Sequence, residues 1–270
     1  MNLLKLIPFF IISIILYSCV STKTALKNYN SAEYAEAANK FKKVLKNNDA
    51  EGNFLLAESL RKSNQLWKSE KYYEDAIKSG YRNEIAYYYL SLAIKSNGNY
   101  DKADSLIDVY LKNGKNKDVI KLMKNESLYI SNLRKYPDTS YYKVKNLKDL
   151  NTTFAEYSPS YSDGKLYFVS NRSTEKIYKG TGTPFTDLYE IKTKGAIVDI
   201  NSLKRLEDNI NEEQVNEGSI TFSGDGQYMI FAKGNNGKSS GRNSVDLYFS
   251  RYRRNGWTNP RLLNVNTSRS

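Results

Sequence analysis

Two internal repeats of different period succeed one another along this 270-residue chain, and together they constrain its fold more than any single motif. From about Ala25 to Leu111, small and apolar residues recur at spacings of three and four, the period of amphipathic helices. Tyr34, Leu66 and Tyr100 share one phase, in steps of 32 and 34 residues. Small Ala37, Ser69 and Ala103 follow three places on. Bulky Phe41, Tyr73 and Ile107 come next, and then Val44, Ala76 and Tyr110. A small side chain lets a second helix cross close to the first, while the large ones fill the gap to the next unit. Three such units are about the minimum for a continuous core. The first copy is degenerate, with Ser21, Thr24 and Asn28 standing where its first helix would be apolar. One further amphipathic helix is predicted over Asp118–Tyr136, with Val119, Ile120, Met123, Leu128, Ile130 and Leu133 as its apolar residues and Pro137 beyond its end. Its expected place is over the open face of the array.

The second repeat is a strand pattern. Ser160–Val169 recurs as Ile220–Phe231, each copy carrying Asp-Gly (Asp163-Gly164 and Asp225-Gly226) between alternating apolar runs. That dipeptide signals a hairpin, because glycine accepts positive φ and aspartate caps the turn. A third strand with Asp-Leu-Tyr follows in both copies, at Asp187–Tyr189 and Asp246–Tyr248, and the second continues through Trp257 to Leu263 as a turn and a fourth strand. Gly164 and Gly226 lie 62 residues apart, so four strands recur about every sixty residues. Asp163 and Asp225 read as turn residues rather than calcium ligands or catalytic acids.

Composition argues against catalysis. The chain has no His and one Cys, which removes the commonest general base, the histidine-dependent nucleophile arrangements, an intrachain disulfide and any multi-cysteine metal site. No metal, cofactor or catalytic residue is assigned. The formal charge of +12 is spread along the chain: residues 20–135 hold 21 basic and 14 acidic side chains, and residues 136–270 hold 19 and 15. Without a basic block, nucleic acid is not an expected partner. Ala232–Ser239 fits a relaxed phosphate-loop pattern, but a phosphate cradle must open into a helix and this segment leads to a strand instead. It reads as an inter-strand loop, as does Gly180-Thr181-Gly182 ahead of Pro184.

At the start of the chain, Lys5 precedes an apolar run from Leu6 to Leu16, followed by Tyr17-Ser18-Cys19. The apolar stretch from Leu6 to Val20, about fifteen residues, falls short of the roughly 20 that span a bilayer, and the pattern fits a secretory signal. A small residue before the sole Cys, with Leu16 three places ahead of it, resembles the bacterial lipoprotein signal. The resemblance implies lipid on Cys19 and, since no acidic cluster follows, an outer-membrane protein facing the periplasm.

The helical period with its small crossing residues resembles the tetratricopeptide repeat, and the strand repeat resembles the WD-repeat-like blades of TolB-type propellers. The implied fold class is α+β multidomain, a tetratricopeptide-like α-solenoid followed by an incomplete β-propeller of about two blades. Its expected parts are a signal peptide (1–18), a helical repeat domain (19–136), a linker (137–150) and a partial propeller (151–270). In tetratricopeptide arrays the first helix of each pair lines a concave groove. By repeat position that surface comprises Phe54, Glu58, Arg61, Tyr88, Leu92 and Lys95.

The module order, together with Val144–Asn151, Gly182–Tyr189 and Asn216-Glu217-Gly218-Ser219, is similar to a Bacteroidetes family of outer-membrane lipoproteins that includes PorE-like components of type IX secretion. In that family the propeller precedes an OmpA-type peptidoglycan-binding domain. The resemblance implies a non-enzymatic envelope adaptor whose partners are secretion or outer-membrane proteins, held to the membrane by its lipid. Contact with peptidoglycan would come through a C-terminal domain lying beyond a chain expected to be a fragment. A TolB-like partner of peptidoglycan-associated lipoproteins belongs to the same scaffold class. The alternative of a different class is a glycan-binding or glycan-processing propeller, using blade aromatics such as Tyr189 and Trp257.

Overall fold

A computed structural model describes residues 21–46, 48–136, 144–172, 175–195, 197–234, 245–254 and 256–266. The expectations for the signal peptide, for Cys19 and for the loop after Gly234 lie outside the described residues. Within them the chain is mixed α+β, with seven helices followed by a sheet-rich region.

The helices are α1 (Thr22–Asn30), α2 (Tyr34–Val44), α3 (Ala50–Lys62), α4 (Glu70–Lys78), α5 (Ile85–Ser96), α6 (Tyr100–Asn113) and α7 (Lys117–Lys135). Side-chain caps start three of them: Ser21 Oγ, Asp49 Oδ1 and Asn116 Oδ1 accept the amides of Thr24, Gly52 and Asp118 at 3.3, 2.8 and 3.0 Å. The turns after α1, α3 and α5 repeat in detail. Ala32, Asn64 and Gly98 are left-handed, with φ of 57°, 59° and 78°. The next amide then donates back five residues, Glu33 to Asn28, Gln65 to Leu60 and Asn99 to Ile94. These bonds satisfy carbonyls that the helix end leaves open.

Each helix packs on its neighbours in the chain. Ala37, Ser69 and Ala103 are completely buried where the helices cross, and Phe41, Tyr73 and Ile107 fill the core beside them. One apolar cluster gathers Ala25, Phe41, Leu56 and Leu60; the larger one joins Tyr73, Leu90, Ile94, Ile107, Met123 and Ile130. The polar residue in α1 finds a buried role: Asn28 donates to Glu33 (2.6 Å) and accepts from Lys40 (2.9 Å). Helix α7 covers α6 through Val119, Met123 and Ile130, whereas Leu128 and Leu133, expected on its apolar face, are exposed.

The strands are β1 (Glu156–Ser162), β2 (Lys165–Ser170), β3 (Ile177–Tyr178), β4 (Thr183–Pro184), β5 (Asp187–Lys194), β6 (Ile197–Val198), β7 (Lys204–Arg205), β8 (Asn216–Phe222), β9 (Tyr228–Gly234), β10 (Val245–Arg253), β11 (Gly256–Trp257) and β12 (Arg261–Leu262). Ten of them form two antiparallel sheets of one plan, and β3 pairs with β4 as a separate small hairpin. In the first, β1-β2-β5 is flanked by β6 and β7, which pair with opposite ends of β5; in the second, β8-β9-β10 is flanked likewise by β11 and β12. The fourth strand of each sheet is therefore interrupted. The β1–β2 hairpin is a two-residue turn with Asp163 and Gly164 both at positive φ (46° and 70°), the geometry that an Asp-Gly pair favours. The second hairpin is looser, its Asp225 side chain holding Ser223 Oγ at 2.6 Å and the Gln227 amide at 3.0 Å.

The edge strands β1 and β8 are bulged at one equivalent place, and there Ser158 (φ 49°) and Ser219 (φ 44°) lie with hydroxyls 3.5 Å apart. The sheets share a core of Tyr167, Val169, Leu188, Ile220, Met229, Phe231 and Trp257. Leu150 is buried against Phe168, Tyr189 and Ile191, with Leu147 beside it. Packing of the sheet region therefore begins by Leu147, within the segment expected to be a linker.

Candidate functional site

Phe54, Glu58 and Arg61 on α3, and Tyr88, Leu92 and Lys95 on α5, share the i, i+4, i+7 spacing that puts side chains on one helix face. Their roles in the fold differ. Glu58 is buried and accepts a hydrogen bond from the Tyr73 hydroxyl, and Arg61 grips its carboxylate with two bonds of 2.8 and 2.7 Å. The Arg61 guanidinium also lies 4.0 Å over the Tyr89 ring. Its hydrogen bond to Glu58 keeps Arg61 protonated beyond its ordinary range. Burial and the Glu58 charge push the Tyr73 phenol far upward. Glu58 is thus an internal strut that aims Arg61.

Phe54 stacks on Tyr81 with ring centres 4.1 Å apart. Lys95 pairs with Glu126 of α7 and sits 4.4 Å over the Tyr129 ring. Five of the six residues (Phe54, Arg61, Tyr88, Leu92 and Lys95) are half-buried and present rings, an aliphatic group and two cations whose charges are balanced by fixed carboxylates. Sequence spacing placed these residues on two helices, but the contribution of α7 was not legible, because Glu126 and Tyr129 reach Lys95 from more than thirty residues away. Such a surface suits recognition of peptide side chains. Among the described residues no group of acidic, Cys or His side chains is arranged to hold a metal ion.

The sheets bury their own charges. Asp187 pairs with Arg205 at 3.0 Å, and Glu190 meets Lys165 at 3.0 Å and Lys204 at 3.2 Å. Burial alone would raise Glu190, but its bonds and charge contacts with the two lysines outweigh that and hold it below the usual carboxylate range. Glu217 is different. Burial pushes it up to about 8, opposed by the Glu212 amide at 3.1 Å and by Lys233 at 3.8 Å, while its Oε2 has no hydrogen-bond partner. Tyr189 and Trp257, the aromatics a sugar-binding blade would have offered, are buried in the sheet cores.

The two regions meet at the small β3–β4 hairpin. The Ala35 amide, at the start of α2, donates to the carbonyls of Lys179 and Gly180 at 3.2 Å each, and Lys179 pairs with Glu33 at 3.2 Å. Gly182 has φ of 74°, and a Cβ there would stand 2.9 Å from that of Ala35, so this contact requires glycine. The Gly180–Gly182 loop seen in the sequence is therefore a docking tip, identified only once its partner 146 residues earlier is known.

No helix of the described residues is long and apolar enough to cross a membrane. No family model matches the chain, and no curated protein matches it.

Proposed function

We propose that this protein is a non-enzymatic adaptor of the bacterial cell envelope, held to the inner face of the outer membrane by lipid on Cys19. Its helices form a tetratricopeptide-like array that recruits a protein partner through the face of Phe54, Arg61, Tyr88, Leu92 and Lys95, and its sheets are two blades of a propeller. The recruited partner is an envelope component of secretion or of outer-membrane attachment to the cell wall, the role carried by the lipoproteins this chain resembles.

The observation that carries this reading is the repeated construction of the helical half. The same left-handed turn, small crossing residue and bulky core residue recur at a period near 34 residues, leaving one face of α3 and α5 rich in half-buried rings and cations, with Tyr129 and Glu126 of α7 beside it. The equal strand order of the two sheets supports the propeller-like part.

The anchor is tested by growing cells expressing the full chain with an alkyne-bearing fatty acid. Label on the wild type, its loss in Cys19→Ser and a shift of that variant out of the membrane fraction are expected. Unlabelled wild type, or label that survives Cys19→Ser, contradicts the anchor.

A further inference from the structure

We propose that the cavity between the α3–α4 turn and the two sheets is a binding site for a neutral oligosaccharide. This site is separate from the helix face assigned above, and neither reading depends on the other. The cavity encloses about 810 Å³, within the range of small-ligand sites, and lies between two structural regions, where such sites concentrate.

Its lining is aromatic and uncharged in character. Trp67 stands at the helical wall with 51% of its surface exposed, and Tyr157 of β1 lines the same cavity, itself 43% exposed. Exposed aromatic faces of this kind stack on the C–H faces of pyranose rings. Asn64, Gln65, Thr181 and Ser219 add amides and hydroxyls, groups that both donate and accept and so match sugar hydroxyls.

Two lining residues can carry charge. Glu217 is buried beneath the wall, and Lys68 donates to Gln65 Oε1 at 2.9 Å and lies 5.6 Å over the Trp67 ring. A cationic ligand would meet no open carboxylate, and an anionic ligand a single lysine among neutral amides and hydroxyls. Ser219 of this lining sits at positive φ with its hydroxyl 3.5 Å from that of Ser158, which has positive φ too, a costly backbone state that is kept where surrounding structure demands it.

The chain provides its own probe, since its two tryptophans are Trp67, at the cavity, and Trp257, buried at 8% exposure in the sheet core. Full-length protein in detergent is titrated with cellotetraose and with chitotetraose, following tryptophan emission and binding heat. A saturable emission change with either sugar is expected, and comparison of the two shows whether acetamido groups contribute. Trp67→Ala should weaken the calorimetric affinity by about tenfold or more, as removal of a central aromatic does. Trp67→Phe should retain most of the binding. Unaltered helical circular dichroism, together with unaltered Trp257 emission, would show that Trp67→Ala is folded in both halves. Silence with both sugars overturns the assignment. So does unchanged affinity in Trp67→Ala, or preference for an anionic oligosaccharide of the same length.

Discussion

The helical and sheet halves solve the problem of a core in different ways. The helical half joins sequence neighbours, α1 to α2 and onward to α7, and what it must get right is side-chain size at each crossing. Its buried Glu58 is satisfied within α3 and α4, by Arg61 and Tyr73. The sheet half brings distant segments together and buries three carboxylates, Asp187, Glu190 and Glu217, whose cations come from other strands. The first half should therefore respond to volume and the second to charge and pH.

The largest effect belongs to volume. Tyr73→Ala empties a completely buried site and removes a donor from Glu58, and should cost about 3–5 kcal/mol in denaturant unfolding followed by helical circular dichroism. An effect under about 1 kcal/mol would mean that the helical core is not built around this residue.

Charge comes next. Arg205→Ala leaves Asp187 buried without its guanidinium, and a loss of about 3 kcal/mol is expected, read from Trp257 emission as the sheet half unfolds. If the helical half melted first instead, the division between the halves would fail.

Two carboxylates then give opposite pH signatures. Glu190 is held low in the folded state, so its stabilisation is present above the usual carboxylate range and is lost as pH falls through the lowered value. Glu217 is raised from 4.5 to about 8, so the folded state holds its proton more tightly. That contribution is full below about pH 4.5 and is lost as pH rises through about 8. Glu217→Gln, which keeps the shape and cannot ionise, should be nearly neutral at pH 4.5 and clearly stabilising at pH 9. Equal effects at both pH values would show that the carboxyl is not held protonated.

The smallest effect tests the contact between the halves. Gly182→Ala forces a residue with a Cβ into positive φ and against Ala35, and should cost about 1–2 kcal/mol. Hydrogen exchange should quicken at the Ala35 amide and leave the centres of β2 and β9 unchanged. Unchanged exchange at Ala35 would mean that the halves do not dock through this hairpin.

What the sequence revealed follows the same division. The small and bulky positions of the helical repeat were legible because a helix converts spacing directly into burial, and Ala37, Ser69 and Ala103 are buried as that period requires. The Asp163-Gly164 turn was legible because two residues determine it. Leu128 and Leu133 misled, since α7 buries only the Val119–Met123–Ile130 stripe and has no helix on its outer side among the described residues. Asn28 looked like a defect, yet it is buried through bonds to Glu33 and Lys40, because a polar side chain can be buried when its partners are supplied. On the candidate helix face, spacing put the residues on α3 and α5 but gave no sign that Glu58 would be spent on Arg61 and Tyr73. Neither the burial of Glu217 nor the cavity beside Trp67 has a local signature, because both depend on how separate segments of the chain pack together.

The adaptor reading is tested most directly by a photo-crosslinking amino acid placed in full-length protein in living cells, at Leu92 on the helix face or at exposed Val109 on α6. The account predicts a discrete adduct with one envelope protein from position 92 and none from position 109. No adduct at 92, or the same adduct from both positions, would contradict it.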